Sequence, residues 1–242
     1  MSYNVVNKHL RDSRIKFDEA RHEYSLNGEV FKSVTTIVSE CFEQFDADYW
    51  AQRKAPGLGM SPEEVKAMWA AQGEKARNLG TQLHVKIERY YMGLPNEEDA
   101  TYRLFQQFAS GYCLTPYRTE WAIYDEDYKV AGTLDFLNFQ DGVFTIYDWK
   151  RSNKVIVDGV PERCSRWRKC AFAPISHIPD TTYWHYALQV SIYRYILEKN
   201  YGIVVSGSKL AVFHPDYACP YVVDVPYLKS EVEAVLARNA GR

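Results

Sequence analysis

Residues 131–150 read AGTLDFLNFQDGVFTIYDWK, two runs rich in β-branched and aromatic side chains on either side of Asp141-Gly142. An Asp-Gly pair so flanked signals a two-residue hairpin turn, and such a turn fixes the register of both strands. With Asp141 and Gly142 at the tip, Gln140 faces Val143, and counting outward sets Asp135 opposite Asp148. Directly opposed Cβ atoms lie about 5 Å apart, so the two carboxylates can grip one cation and repel each other without it. Because strand side chains alternate, Lys150 shares a face with Asp148, while Tyr147 and Trp149 point away. That face carries Leu137, Phe139, Phe144 and Ile146 near the turn and Asp135, Asp148 and Lys150 at the open end. Two ordinary surface aspartates are the bland alternative. The shared register, with a lysine two residues on in an apolar ribbon, argues against it.

Hard oxygen ligands suit Mg²⁺ or Mn²⁺, which proteins commonly hold with one or two carboxylates and substrate phosphate oxygens. Such a cation polarises phosphorus and acidifies water, and a neighbouring lysine can orient or deprotonate that water and offset developing charge. The chemistry expected of the hairpin is phosphodiester hydrolysis.

At 242 residues the chain can bury a core without disulfides, and one domain is the expectation for 1–242. The formal charge of -2 gives no overall attraction to a polyanion, so contact with nucleic acid requires a local basic patch. The 19 tyrosines permit base stacking without indicating it. Five scattered cysteines and a polar N-terminus without an apolar run point to a reducing cytoplasm, with neither signal peptide nor membrane span.

The element pattern predicts an α/β fold, a central mixed β-sheet flanked by helices, with a helical N-terminal part. A hairpin turning at Asn27-Gly28 is expected over residues 14–38, closing on a short helix through Ile37. Ser61-Pro62-Glu63-Glu64 opens a helical region reaching Gly93, with an interruption expected at Gly80. A helix is expected over 97–111, strands over 118–150, and an irregular insertion over 152–180. A helix over 181–199, two strands between 208 and 225, and a last helix opened by Pro226 complete the pattern. The organisation is thus a hairpin and helices over 1–115, the core over 116–225 and a C-terminal helix over 226–242.

Gly132-Thr133-Leu134-Asp135 followed by Asp148-Trp149-Lys150 resembles the core motif of the PD-(D/E)xK nucleases, in the GTxD…DWK form of the RecB-like branch and of mitochondrial genome maintenance exonucleases. Leu134 stands where that motif usually has proline. The resemblance extends to Gly80-Thr81 with His84 and Glu88 (GTxxHxxxE), and to Gln189 with Tyr193 (QxxxY), four motifs in order over about 115 residues. Each pair shares a helical face, although alone each reads equally well as a helix packing its core. The resemblance implies a restriction-endonuclease-like fold. Asp135, Asp148, His84 and the Trp149 main-chain carbonyl would bind Mg²⁺ or Mn²⁺. Lys150 would position water, Gln189 would steady the lysine or the phosphate, and Tyr193 would support the site. Glu88 and Glu120, the latter matching a common acid of the branch, would be outer ligands or partners of the ligands.

It also implies a DNA exonuclease acting on single strands or duplex ends, bacterial or phage-encoded and engaged in repair or recombination. A restriction or defence endonuclease, or an inactive nucleic-acid-binding module, are the alternatives. Arg151, Lys154, Arg163, Arg166, Arg168 and Lys169 follow the catalytic lysine and form the candidate phosphate-binding patch, with Trp167 and Trp184 available to stack on unpaired bases. Some relatives carry an iron-sulfur cluster; here only Cys164 and Cys170 are close, without a CxxC, and no cluster is expected. Zinc bound by these with His177 and His185 would have poor spacing.

Overall fold

Asn27 and Gly28, and again Asp141 and Gly142, take up the positive φ angles (52° and 84°, 54° and 78°) that a tight hairpin turn of right-handed twist demands. These two turns organise the sheet. The computed structural model describes residues 3–21 and 23–241. A four-residue helix α1 (Tyr3–Val6) precedes three short strands, β1 (Ile15–Asp18), β2 (Glu23–Leu26) and β3 (Glu29–Ser33), and helices α2 (Val34–Ser39), α3 (Ala47–Leu58), α4 (Pro62–Tyr91) and α5 (Ala100–Gly111). The core strands β4 (Pro116–Asp125), β5 (Val130–Gln140) and β6 (Val143–Lys150) follow, then a small ribbon of β7 (Ile156–Val157) and β8 (Val160–Pro161). Helix α6 (Thr182–Asn200), strands β9 (Val205–Val212) and β10 (Tyr221–Val225), and helix α7 (Lys229–Asn239) complete the chain.

The fold is α/β with a mixed central sheet, as expected. Its neighbours run β1-β2-β3-β5-β6-β9-β10, with β4 also on β5. The pairs β3/β5 and β6/β9 are parallel and the rest antiparallel. One face packs on α2, α6 and α7 through a core that includes Ile37, Leu188, Ile192 and Val235. The other packs on α4 and α5 through Leu83, Ile87, Phe105, Phe108, Phe136 and Trp149. Among the described residues no helix is long and apolar enough to cross a membrane.

Three expectations change. The N-terminal ribbon has three strands, because the chain breaks between Asp18 and Glu23 before β2 returns to β3. Helix α4 runs unbroken through Gly80, since a glycine lowers helix stability without preventing helical φ and ψ. It starts where expected, in a reciprocal cap: Glu64 N–H donates to Ser61 Oγ and Ser61 N–H to the Glu64 carboxylate. Helix α7 begins at Lys229 rather than at Pro226.

The feature that makes a site is how β5 is shared. Along one edge β4 accompanies it from Val130 to Asn138. Along the other, β3 pairs only at Val130 and Ala131, and β6 only from Phe136 to Gln140. Gly132, Thr133, Leu134 and Asp135 therefore face a gap between two neighbours. The alternation of side chains also breaks there, without a change of register: Leu134 and Leu137 both enter the core beneath α6, whereas Phe136 enters the opposite one. Simple alternation would have put Leu134 and Phe136 together.

Candidate metal centre

The β5/β6 ladder follows the register set by the turn, from Gln140↔Val143 to Phe136↔Tyr147, and stops one step short of Asp135. Asp135 instead accepts a hydrogen bond from the Trp149 backbone N–H on Oδ2 (2.8 Å), so its carboxylate closes the end of the ribbon. Its other oxygen, Oδ1, lies 3.6 Å from His84 Nδ1. Burial raises the Asp135 pKa, against the opposing pull of His84 and Lys150.

His84 reaches the gap from α4. Its Nε2 lies 3.0 Å from the Trp149 carbonyl oxygen, which can only accept, so the proton sits on Nε2. Nδ1 is thereby turned toward two carboxylates, Asp135 and Glu120 Oε1, the latter at 3.3 Å. Burial works to lower the His84 pKa, but Asp135 and Glu120 outweigh it and raise it to about 9. Ligand atoms of His84, Glu120 and Asp135 all lie within 4.8 Å of one another. Glu120 joins where β4 takes a left-handed step (φ 44°), at the position in register with Asp135 that the ladder leaves unpaired.

This set differs from the one expected from the sequence. Glu120 stands inside the cluster, the Trp149 carbonyl is occupied by His84, and the charged partner of Asp148 is Lys150. Asp148 is fully buried, with Lys150 Nζ 2.6 Å from Oδ2. This ion pair is the contact that compensates the buried Asp148 carboxylate. Burial raises the Asp148 pKa, partly offset by Lys150. Burial also opposes the Lys150 ammonium, yet Asp148 and Asp135 raise its pKa above the usual lysine value. Lys150 Nζ lies over the Tyr186 ring, 4.5 Å from its centre.

Gln189 and Tyr193 are buried together on α6, and Gln189 Nε2 donates to Tyr193 Oη at 3.0 Å. The expected contact of Gln189 with lysine is replaced by this one. Tyr193 crosses the gap over Gly132, where an added Cβ would stand 2.7 Å from Tyr193 Cε1. The glycine is required by this close approach rather than by its φ.

Two carboxylates and an imidazole nitrogen with ligand atoms this close fit a divalent cation. The cluster opens onto a cavity of about 740 Å³ whose walls include Phe17, Tyr24 and Glu88. Glu88, expected on the His84 face, lines this cavity, and burial raises its pKa. Tyr24 had no sequence motif to mark it; its hydroxyl bonds Thr133 Oγ1 at 2.8 Å at the edge of the gap.

The basic segment is only partly available to phosphate. Arg166 pairs with Glu162 (3.0 Å) and Lys169 with Glu43 (2.6 Å), while Arg151 donates to Thr101 Oγ1. The Arg163 guanidinium lies over Tyr183. Lys154 and Arg168 make no ion pair among the described residues. Trp167 is 82% exposed, whereas Trp184 donates its indole N–H to the Arg163 carbonyl and so fixes the loop instead of offering a stacking face.

No family model matches this chain, and no curated protein does. It is similar to a solved structure described as "Crystal structure of SSO0001", 16% identical over 86% of this chain and 74% of that one, with a TM-score of 0.35.

Proposed function

We propose that the protein is a DNA nuclease dependent on Mg²⁺ or Mn²⁺, hydrolysing phosphodiester bonds as an exonuclease on single strands or duplex ends. The observation that carries the reading is the cluster of His84, Glu120 and Asp135, whose ligand atoms lie within 4.8 Å of one another, beside the buried pair of Asp148 and Lys150. A buried carboxylate costs several kcal/mol, roughly, unless an opposite charge offsets it, and Lys150 supplies that charge to Asp148 at 2.6 Å. The preference for exonuclease rests on the motif resemblance alone.

His84, Glu120 and Asp135 would hold the cation, and Asp148 would hold Lys150. A bound divalent ion supplies Lewis acidity, drawing charge from a phosphate and easing deprotonation of water. The protein's own groups divide the remaining work. Lys150, kept protonated by its two aspartates, orients water and offsets charge at the phosphate rather than accepting a proton. Tyr186 beneath it limits where the ammonium swings. Gln189 and Tyr193 hold the α6 wall of the gap, and Trp167, Arg168 and Lys154 offer a stacking face and charge for the strand.

The test is a cleavage assay with Mg²⁺, Mn²⁺ or chelator on linear and circular DNA, single- and double-stranded, beside Asp148→Ala and Lys150→Ala. Metal-dependent loss of linear substrates only, abolished in both variants, is the expected result. Nicking of closed circles would make it an endonuclease. No product on any substrate would leave a nucleic-acid-binding module.

A further inference from the structure

Glu120 has a left-handed backbone (φ 44°), a conformation that a residue with a Cβ adopts only when its surroundings hold it there. The β4/β5 ladder pairs Thr119 and Trp121 and leaves Glu120 between them without a partner. The contact that does bear on it comes from the start of the chain. Asn4 Nδ2 donates to the Thr119 carbonyl oxygen at 2.7 Å, and Asn4 Oδ1 accepts from Thr119 N–H at 3.1 Å. One side-chain amide thus satisfies both backbone groups of Thr119, as a paired strand would. The oxygen it holds belongs to the peptide that leads directly into the Glu120 Cα.

The amide is itself fixed. Asn4 Oδ1 also accepts from Arg118 Nε at 3.1 Å, and Arg118, buried on β4, reaches Asn7 O (2.7 Å) and Asp12 Oδ2 (2.8 Å). Asp12 Oδ1 accepts from the Trp121 indole N–H at 2.8 Å. Tyr3 Oη donates to the carbonyl of Tyr91, at the end of the helix that carries His84. The peptide before Glu120 and the indole of the residue after it are therefore tied to one N-terminal arm, and that arm is anchored to α4.

We propose that Asn4 is a positioning residue for the metal centre: it holds the Thr119–Glu120 peptide in the orientation that delivers the Glu120 carboxylate to His84 and Asp135. The assignment rests on the metal-binding reading above. It makes the arm part of the site rather than a cover for the edge of β4.

The experiment is a Mn²⁺ titration by calorimetry, without nucleic acid, on the full chain and on Asn4→Ala, Asn7→Ala, Glu120→Gln and the Asn4→Ala/Glu120→Gln pair, with melting temperatures for each. Asn7 lies on the same arm and donates to the Tyr117 carbonyl, away from Glu120, so its variant reports the arm's structural share alone. Asn4→Ala is expected to weaken Mn²⁺ binding about tenfold, as loss of a ligand's support does. Asn7→Ala should lower the melting temperature without weakening Mn²⁺ binding. In the Glu120→Gln background Asn4→Ala should add nothing, because a residue acting through another is non-additive with it. Unchanged Mn²⁺ affinity in Asn4→Ala, equal weakening in Asn7→Ala, or additive losses in the pair would overturn the assignment. Absence of Mn²⁺ binding by the unaltered chain would overturn the metal reading and this inference together.

Discussion

The carboxylate of Asp135 accepts the backbone N–H of Trp149 across the point where β5 and β6 stop pairing. A ladder bond between main chains is replaced by one from a side chain, and the ribbon opens into a site instead of continuing as sheet. The Trp149 carbonyl on the same residue orients His84, so one peptide-length of β6 positions a carboxylate and an imidazole at once.

Gly132→Ala should damage the site from the α6 side. The new methyl would stand 2.7 Å from Tyr193 Cε1 and 3.1 Å from Val34 Cγ2, both packed in the core. Forcing Tyr193 aside breaks its bond with Gln189, at a cost of about 1–3 kcal/mol. The urea midpoint and the cleavage rate should both fall; unaltered stability would show that Tyr193 moves freely.

Metal binding should be coupled to protons. His84 titrates near 9 in the folded chain against an ordinary value of 6.5. A raised pKa contributes stability that is full below 6.5 and is lost as pH rises through 9. In chelator, the urea midpoint should therefore decline between those values, and His84→Gln should abolish much of the decline. Binding Mn²⁺ through Nδ1 requires the proton to leave, so affinity should rise over the same interval. Calorimetry in two buffers of different ionisation enthalpy would detect the released proton, and a pH-independent affinity would contradict the assignment of His84.

Lys150→Met should leave Asp148 buried without its cation. Breaking a buried pair by removing one partner costs about 3–5 kcal/mol, whereas replacing both partners with apolar groups is often neutral. Asp148→Leu with Lys150→Met should accordingly be more stable in chelator than Lys150→Met alone. Both proteins should be inactive. Equal stability of the two would mean the pair is better solvated than its burial indicates.

Arg168→Ala and Lys154→Ala should weaken DNA binding and each lower the salt slope by about one. Arg166→Ala and Lys169→Ala, whose side chains already pair with Glu162 and Glu43, should change it less. Fluorescence titration across salt concentrations separates the two groups.

What the sequence disclosed was local chemistry. Asp141-Gly142 dictated the register of β5 and β6, and Ser61 with Glu64 marked the start of α4, because turns and caps depend on a few adjacent residues. Helix α3 was illegible: it buries only Ala51 and Ala55 and carries Pro56 within it, so neither an apolar stripe nor an absence of breakers announced it. The place of Glu120 was illegible for a different reason. Its left-handed φ accompanies hydrogen bonds from the preceding residue, Thr119, to Asn4, more than a hundred residues away, and no local propensity favours it. The sharing of one β5 edge between β3 and β6 is likewise tertiary, and with it the gap in which Asp135, Gly132 and Tyr193 meet.

The central claim is that Asp135, His84 and Glu120 hold a divalent cation. Electron paramagnetic resonance of free Mn²⁺ in a titration of the chain counts bound ions directly. The account predicts saturable binding at this centre that Asp135→Asn and His84→Ala each weaken at least tenfold, while the circular dichroism spectrum stays unchanged. Binding as tight in either variant as in the unaltered chain, or no binding at all, would contradict it.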